Sequence, residues 1–277
     1  MRVPVACVIG WPIRHSRSPV IHRFWLKQLA LAGDYVIEPV EPERIAAFFA
    51  GFADGLYVGC NVTVPHKETA HAAVAVLHPA ARSIGAVNTV WLEGRTLCGD
   101  NTDAVGFLAN LDHGAPGWDR RAGPAVVLGA GGSARAVVWG LRERGFAPIH
   151  VVNRTEARAG ALAERFGEVV RPATWDALPR LLGEARVLVN TTSLGMSGQP
   201  PLPIDLGPLS VDCLVTDLVY VPLETPLLSA ARGRGLRTVD GLGMLLHQAV
   251  PGFERWFGVR PAVTPALRAA VVATLVG

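Results

Sequence analysis

Six residues with a glycine-rich pattern lie between an apolar run and an amphipathic run: Gly129, Ala130, Gly131, Gly132, Ser133 and Ala134. The apolar run, Ala125–Leu128, predicts a buried strand, and the amphipathic run, Arg135–Arg144, predicts a helix. A lone G-x-G-x-x-A pattern is weak, but one that joins a strand to a helix is typical of a dinucleotide-binding turn. Its first glycine permits the tight bend, its second lets the backbone approach a pyrophosphate, and the alanine allows close helix packing. We therefore expect an anion at the N-terminus of this helix.

The segment after the next predicted strand, Ile149–Asn153, indicates which dinucleotide would bind. An NAD site usually has an acidic residue about 20 residues beyond the glycines, which binds the ribose 2′-hydroxyl. This chain instead has Asn153, Arg154 and Thr155, with Arg158 one turn later. Ordinary solvated arginines would explain the two guanidinium groups but not the missing acid, whereas a 2′-phosphate suits both guanidinium groups and the hydroxyl. The sequence therefore favours NADP over NAD.

Strands alternate with helices along the rest of the chain, which predicts an α/β fold with largely parallel sheets. A hairpin is also predicted around Glu93 and Gly94. The polar segment 114–123 interrupts the pattern before it restarts. The main predicted strands are Val3–Gly10, Tyr35–Val40, Leu56–Val62, Ala125–Leu128, Ile149–Asn153, Val187–Asn190 and Leu214–Leu218.

Lys67 is the first candidate for proton transfer. Lys27 and Lys67 are the two lysines in a chain whose remaining cationic side chains are arginines, and an amine, unlike a guanidinium, can be tuned by burial to exchange a proton. Lys67 follows a predicted strand, at the edge where ligands bind in open α/β sheets. Asp103 offers a carboxylate that could pair with Lys67. A surface lysine at a helix start and a helix-capping aspartate are the alternative interpretations.

Further polar residues lie beside predicted helices. Ser18 before Pro19 predicts a helix N-cap, whereas Ser16 has no such task. Two hydroxyl groups at a helix N-terminus would also suit a polyol or carboxylate ligand. Near the C-terminus, the helical pattern predicts a core position for Met244 and an exposed one for Gln248.

Composition and charge argue against several other functions. Hydrophobic residues make up 50% of the 277 residues, charged residues make up 18%, and the net charge is +3. With no basic run and no apolar run of membrane-spanning length, we expect a globular protein that binds neither nucleic acid nor membranes. The four cysteines and eight histidines lack redox or metal-ligand spacing, which predicts reduced thiols in a cytoplasmic protein without a metal.

Eight segments spread along the chain carry a combined pattern: Gly10–Pro12, His15–Pro19, Asn61–Glu68, Gly85–Thr89, Asn101–Asp103, Gly129–Arg135, Asn153–Thr155 and Asp240–Gln248. Together they resemble the shikimate dehydrogenase family over nearly the whole chain. The resemblance implies an NADP-dependent oxidoreductase that interconverts shikimate and 3-dehydroshikimate in aromatic amino-acid biosynthesis, with Lys67 and Asp103 as the catalytic pair.

The resemblance also implies the residues of both binding sites. Substrate contacts are expected from Ser16, Ser18, Thr63, Lys67, Asn88, Asp103, Tyr220 and Gln248. Cofactor contacts are expected from Gly129, Ala130, Gly131, Gly132, Ser133, Ala134, Asn153, Arg154, Thr155, Arg158, Thr191, Thr192, Ser193, Leu218, Gly241 and Met244.

Two domains are implied as well, with a catalytic cleft between them. An open, mostly parallel α/β substrate domain is expected at residues 1–104 with 244–277, and a Rossmann-type NADP domain at residues 105–243. A homodimer is compatible with this arrangement. One residue departs from the family pattern, because His22 is followed by Arg23 where the family usually has Asn; we expect a packing difference there.

The sequence is also compatible with other functions. A relative that oxidises quinate or an amino-shikimate would keep the same catalytic pair and differ in a few pocket contacts. A non-catalytic NADP-binding regulator would bind cofactor without turnover, although the presence of both Lys67 and Asp103 counts against it. A methylene-tetrahydrofolate-type dehydrogenase would share only the fold.

Overall fold

The computed structural model describes residues 3–275, which divide into two compact units. One unit comprises the chain up to Thr102 together with the residues from Leu246 onward, and the other runs from Asp103 to Leu245. Each unit is built around its own six-stranded sheet. The α/β fold predicted from the sequence is confirmed. None of the helices in the described part of the chain is both long and apolar enough to cross a membrane.

The first unit contains a mixed sheet. Its elements before residue 102 are β1 (Val5–Gly10), α1 (Ser18–Gln28), β2 (Asp34–Pro39), α2 (Ile45–Ala50), β3 (Gly59–Val62), α3 (Lys67–Ala73), β4 (Val76–Leu77), α4 (Pro79–Ile84), β5 (Thr89–Glu93) and β6 (Thr96–Asp100). The strand order is β2-β1-β3-β5-β6-β4. β1 pairs in parallel with β2 and β3, whereas β5 is antiparallel to both β3 and β6. The predicted hairpin is therefore present, with Gly94 at a φ of +64° in its turn.

The second unit contains a fully parallel sheet. Its elements are α5 (Thr102–Gly114), β7 (Ala125–Leu128), α6 (Gly132–Glu143), β8 (Ile149–Val152), α7 (Glu156–Phe166), β9 (Val170–Ala173), α8 (Leu178–Glu184), β10 (Val187–Asn190), β11 (Leu214–Asp217), α9 (Pro226–Gly233), β12 (Arg237–Val239) and α10 (Leu242–Phe257). From Leu246, α10 belongs to the first unit, as does the last helix, α11 (Pro265–Val272). The strand order β12-β11-β10-β7-β8-β9 is that of a Rossmann fold. Successive strands are added on one side of β7 up to β9 and on its other side from β10 onward, so the strand order reverses between β7 and β10.

Apolar residues cover both faces of the parallel sheet. Ala125 and Val127 of β7 pack on one face with α5, α6 and α7, whereas Val126 and Leu128 pack on the other with α8 and α9. Side chains alternate between the faces of a strand, so a strand covered on both sides must be apolar throughout. This is why β7 reads as a short continuous apolar run and why its polar neighbours in sequence lie beyond the strand ends.

Several predicted boundaries are wrong, for local reasons. Ser18 is not the N-cap of α1, because Arg17 holds that position and the helix begins at Ser18. α6 begins at Gly132 rather than Arg135, directly after the extended residue Gly131. β3 begins at Gly59 rather than Leu56.

His22 of α1 lies in an aromatic cluster inside the first unit. Its ring stacks on Tyr35 with centroids 4.0 Å apart and also packs near Trp25, Phe253 and Trp256. Neither ring nitrogen makes a hydrogen bond of normal geometry to a described residue. Burial lowers the pKa of His22 to about 3, because the charged form cannot be solvated there.

Arg23, the departure from the family pattern, points away from this cluster. Its Nε donates to Asp34 Oδ1 at 2.8 Å and its Nη2 donates to Asp34 Oδ2 at 3.3 Å. Both side chains are about half exposed, and the guanidinium holds the pKa of Asp34 below its usual value. The residue thus joins α1 to the start of β2 at the surface.

Replacing His22 by Phe keeps the aromatic packing and removes a titratable group. In the folded protein the pKa of His22 is about 3, against 6.5 for an ordinary histidine. Between these values only the unfolded chain takes up the proton, so folding becomes less favourable as the pH falls. We expect the parent protein to lose up to about 1.4 kcal/mol of unfolding free energy per pH unit below pH 6.5 through this residue.

Urea unfolding between about pH 7.5 and about pH 5 measures this loss. His22→Phe should show a shallower decline than the parent, whereas His113→Gln, which removes an exposed histidine, should decline like the parent. Equal slopes for His22→Phe and the parent would contradict the assignment.

Candidate functional site

The glycine-rich turn leaves backbone open to a ligand. Gly129 adopts a φ of +99°, and a Cβ there would lie 2.8 Å from Thr191 Oγ1 and 2.9 Å from Thr192 Cγ2. At Gly131 and Gly132, by contrast, no described atom beyond the adjacent residues and the backbone of the helix itself lies within 4 Å of where a Cβ would be. The first glycine is thus required for the bend, and the next two expose the N-terminus of α6. This geometry fits a pyrophosphate.

An open cleft of about 680 Å³ begins at this turn and runs between α6 and α7. Arg158 lines it, whereas Arg154 and Thr155 are exposed residues of the loop after β8 and are not among the lining residues. The Asn153 side chain donates to Thr155 O at 2.7 Å and shapes that loop. The lining residues are Ala130, Gly131, Gly132, Arg135, Arg158, Ala161, Leu162, Glu164 and Arg165.

The sequence analysis missed Arg135 and Arg165 as cleft residues. A signal for Arg165 was present, because it lies seven residues after Arg158 and therefore on the same face of α7. Arg135 lies in the first turn of α6, beside the glycines. The cleft thus carries three guanidinium groups and one carboxylate, a balance that favours an anionic ligand.

The loops after β10, β11 and β12 meet at the same edge of the second sheet. The Thr191 hydroxyl donates to Leu128 O at 2.7 Å, which ties the loop after β10 to the end of β7. A side chain at Gly241 would overlap the carbonyl oxygen of Leu218, so these two predicted cofactor residues are in contact. Met244 is partly buried against the hydrophobic core, and Ser193 is exposed.

The two serines lie at the start of α1 in the first unit. The Ser18 backbone N–H donates to Ser16 Oγ at 3.3 Å. Ser16 therefore has the structural task that the sequence analysis could not assign to it, and Ser18 is buried within the first helical turn.

Thr63 and Lys67 follow β3, as predicted. The Thr63 N–H donates to Ile9 O at 2.9 Å and so continues the pairing of β3 with β1. Lys67 is the first residue of α3, and its carbonyl accepts from Val87 N at 2.9 Å. The backbone around Lys67 is thus fixed on both sides, while its side chain is only partly buried.

Asn88 and Gln248, which are 160 residues apart in the chain, are hydrogen-bonded. Asn88 Nδ2 donates to Gln248 Oε1 at 3.4 Å, and both side chains are buried. The exposed position predicted for Gln248 is therefore wrong, because this bond turns it inward. On its other side, Asn88 Oδ1 accepts from Thr102 N at 2.7 Å and from the Thr102 hydroxyl at 3.1 Å.

This bond to Thr102 bears on Asp103, the next residue. Asp103 lies in the first turn of α5 rather than before the helix. Thr102, the last residue of the first unit, is buried and anchored to Asn88. Asp103 itself is the first residue assigned to the second unit.

A chain of buried polar residues that the sequence analysis did not single out supports Asn88. Tyr35 Oη donates to Asn61 Oδ1 at 2.6 Å, and Asn61 Nδ2 donates to the Asn88 carbonyl and to Thr89 Oγ1, both at 3.2 Å. The Thr89 hydroxyl lies 3.0 Å from that of Thr102. Asn61 begins the matching segment Asn61–Glu68, but its partners belong to two other segments, at Tyr35 and at Asn88 with Thr89. Among the described residues, no group of three or more histidine, cysteine or acidic side chains could hold a metal ion.

Three family models match most of the chain. The shikimate dehydrogenase substrate binding domain matches residues 8–90, the shikimate / quinate 5-dehydrogenase model matches residues 119–196, and the shikimate 5′-dehydrogenase C-terminal domain matches residues 241–271. Among curated proteins, a Nitrobacter hamburgensis relative named shikimate dehydrogenase (NADP(+)) is 60% identical over 270 residues, which cover 98% of this chain and 94% of the relative.

Solved structures match over similar lengths. Shikimate 5-dehydrogenase from Thermus thermophilus, in complex with NADP(H) and shikimate, has 38% identity and a TM-score of 0.86, covering 98% of this chain and 99% of its own. Quinate dehydrogenase from Corynebacterium glutamicum, in complex with NAD, has 29% identity and a TM-score of 0.90 with the same coverage. The similarity therefore extends over nearly the whole chain in both sequence and fold.

Replacing Gly129 by Ala should destabilise the protein by about 1–3 kcal/mol, because the residue would be held at an unfavourable φ and pressed against Thr191. Gly160→Ala in α7 is the matched control, since the space around it is open; it should stabilise by roughly 0.5–1 kcal/mol. Chemical denaturation measures both. Equal stability of Gly129→Ala and the parent would show that the turn does not require glycine.

Proposed function

The chain belongs to the shikimate dehydrogenase family, and from this premise we propose that it interconverts shikimate and 3-dehydroshikimate with NADP as cofactor. It is an oxidoreductase that acts on a secondary alcohol, and the reduction of 3-dehydroshikimate is the direction that leads to chorismate and the aromatic amino acids. The observation that carries the proposal is the near full-length similarity to a relative named for this activity with NADP(+).

Lys67 and Asp103 are the proposed catalytic pair. Oxidation of a secondary alcohol removes a hydride from carbon and a proton from oxygen, and NADP, when bound, supplies the hydride chemistry. Lys67 handles the proton: its ammonium donates to the developing alkoxide in the reduction, and its neutral amine accepts the proton in the oxidation. Asp103 is the proposed acidic partner of Lys67 in this transfer.

The proposed substrate contacts come mainly from the first unit. The hydroxyl groups of Ser16 and Ser18 suit the carboxylate or a hydroxyl of a polyol acid. The bonded amides Asn88 and Gln248 present both donors and acceptors, which suits the ring hydroxyl groups. Thr63 and Tyr220 complete the proposed set.

The proposed NADP contacts lie in the second unit. The open backbone at Gly131 and Gly132 holds the pyrophosphate, and the loop from Asn153 to Thr155 with Arg158 holds the adenosine 2′-phosphate. The rest of the cofactor rests on residues of the loops after β10, β11 and β12: Thr191, Thr192, Ser193, Leu218, Gly241 and Met244.

The assignment of substrate contacts and NADP contacts also defines the proposed domains. The proposed substrate domain comprises residues 1–104 with 244–277 and the proposed NADP domain comprises residues 105–243, although Tyr220 and Met244 each contact the ligand of the other domain. The proposed assembly is a cytoplasmic homodimer. Light scattering during size-exclusion chromatography tests the dimer, because a mass near 29.4 kDa would identify a monomer.

A spectrophotometric assay tests the activity. Purified protein is mixed with shikimate and NADP, with shikimate and NAD, or with quinate and NADP, and reduced nicotinamide is followed by its absorbance. We expect rapid reduction with shikimate and NADP and slower reduction with NAD, because Arg154 and Arg158 follow β8 and no acid ends that strand. Quinate should also react more slowly, because the similar curated relative is named for shikimate. Faster turnover of quinate would assign the chain to the neighbouring specificity. No turnover despite NADP binding would identify a regulator.

Lys67→Ala should lower kcat by about 10²–10⁴-fold, the usual contribution of a positioned acid or base. Lys27→Ala is the matched control, since it removes the other lysine from the exposed last turn of α1 and should leave kcat unchanged. Circular dichroism checks that both variants fold. Near-normal turnover by folded Lys67→Ala would contradict the proposed role of Lys67 in proton transfer.

A further inference from the structure

A carboxylate outside the predicted site residues forms the centre of a buried polar cluster. Asp217, the last residue of β11, is fully buried. Its Oδ1 accepts from Asn190 Nδ2 at 2.9 Å and from Val219 N at 3.0 Å, and its Oδ2 accepts from the Thr225 hydroxyl at 2.7 Å. Burial raises the pKa of Asp217, and these donors oppose that rise.

Asn190 extends the cluster to the neighbouring strand. It is the last residue of β10 and is also fully buried. Its Oδ1 accepts from the backbone N–H of Thr192 at 3.0 Å and from the Thr192 hydroxyl at 2.7 Å, while its Nδ2 also donates to Leu194 O at 3.2 Å. The loop after β10 is therefore wrapped around Asn190 and joined to β11 through Asp217.

Two further segments depend on Asp217. Thr225, besides donating to the carboxylate, caps α9 by accepting from Leu228 N at 3.3 Å. A Cβ at Gly241 would lie 2.7 Å from the Asp217 carbonyl oxygen, so the loop after β12 packs directly on this residue. One buried side chain thus fixes the ends of β10 and β11 and the start of α9, and its backbone abuts the loop after β12.

The cluster lies on a particular side of the proposed cofactor site. The glycine-rich turn follows β7. The arginine loop, Asn153–Thr155, follows β8 on one side of β7, and β10 and β11 lie on the other side of β7. If the pyrophosphate binds at α6 and the 2′-phosphate at the arginine loop, the nicotinamide half must extend over β10 and β11. This step rests on the proposed function.

We propose that Asp217 is a positioning residue for NADP, which holds the loops after β10, β11 and β12 in the arrangement on which the nicotinamide half rests. It acts through Thr192, Leu218 and Gly241 and does not touch the cofactor. A buried carboxylate is costly unless it is hydrogen-bonded, and an apolar side chain would fill the same space at lower cost. Only an acceptor with several lone pairs can bind donors from three segments at once.

Asp217→Asn tests the proposal, because it keeps the shape and replaces Oδ2 by a donor that faces Thr225. Titration calorimetry with NADP alone should show a Kd about tenfold higher than that of the parent, which corresponds to the loss of about one charge-assisted hydrogen bond. The steady-state KM for NADP should rise in parallel, while the KM for shikimate stays within about twofold of the parent value.

Trp118→Phe is the matched control for a general loss of stability. It removes a partly buried hydrogen bond, from Trp118 Nε1 to Asp112 Oδ1 at 2.9 Å, in the same unit but before the amino end of β7. Trp118→Phe should have the same Kd for NADP as the parent, even if its melting temperature falls as far as that of Asp217→Asn. Thr225→Val, which removes one donor to Asp217, should raise the Kd about threefold and serves if Asp217→Asn does not fold.

An unchanged Kd for NADP in folded Asp217→Asn or Thr225→Val would overturn the proposal. A Kd raised equally in Trp118→Phe would also overturn it, since that result would reflect stability alone. The calorimetry needs no substrate, so its outcome is separate from the activity. A parent protein that binds NADP but does not oxidise shikimate would refute the proposed function and leave this test intact.

Discussion

The burial of the parallel sheet on both faces is the constraint on which the second unit depends. Strands such as β7, with apolar side chains toward the helices on either face, leave no room for polar groups along their length. Asn190 and Asp217 instead lie at the last positions of β10 and β11. The residues that shape the proposed cofactor site are therefore these strand-end residues or their neighbours in the sequence.

The first unit meets the same constraint differently, because its sheet is mixed. Asn61 lies within β3 and Thr89 begins β5, so polar groups enter the sheet itself and must bond to one another. They do so in a chain that runs from Tyr35 through Asn61 to Asn88. Such a fully bonded network is rigid, and it fixes the amide that we assign to the substrate.

Local patterns in the sequence were sufficient for most of the central strands and for the cofactor turn. The strand Ala125–Leu128 and the role of Gly129 follow from periodicity and from the geometry of glycine alone. The bond between Asn88 and Gln248 could not be predicted in this way, because it joins segments 160 residues apart. The prediction that Gln248 is exposed was wrong for this reason. The prediction that Ser18 is the N-cap was wrong because α1 begins at Ser18, one residue earlier than Pro19 indicates.

A crystal structure with NADP and shikimate would test the account most directly. We expect the 2′-phosphate to lie against Arg154 and Arg158, the pyrophosphate at the N-terminus of α6, and the reacting hydroxyl of shikimate within hydrogen-bond distance of Lys67 Nζ. Shikimate bound without contact to Lys67, or NADP bound away from the glycine-rich turn, would contradict it.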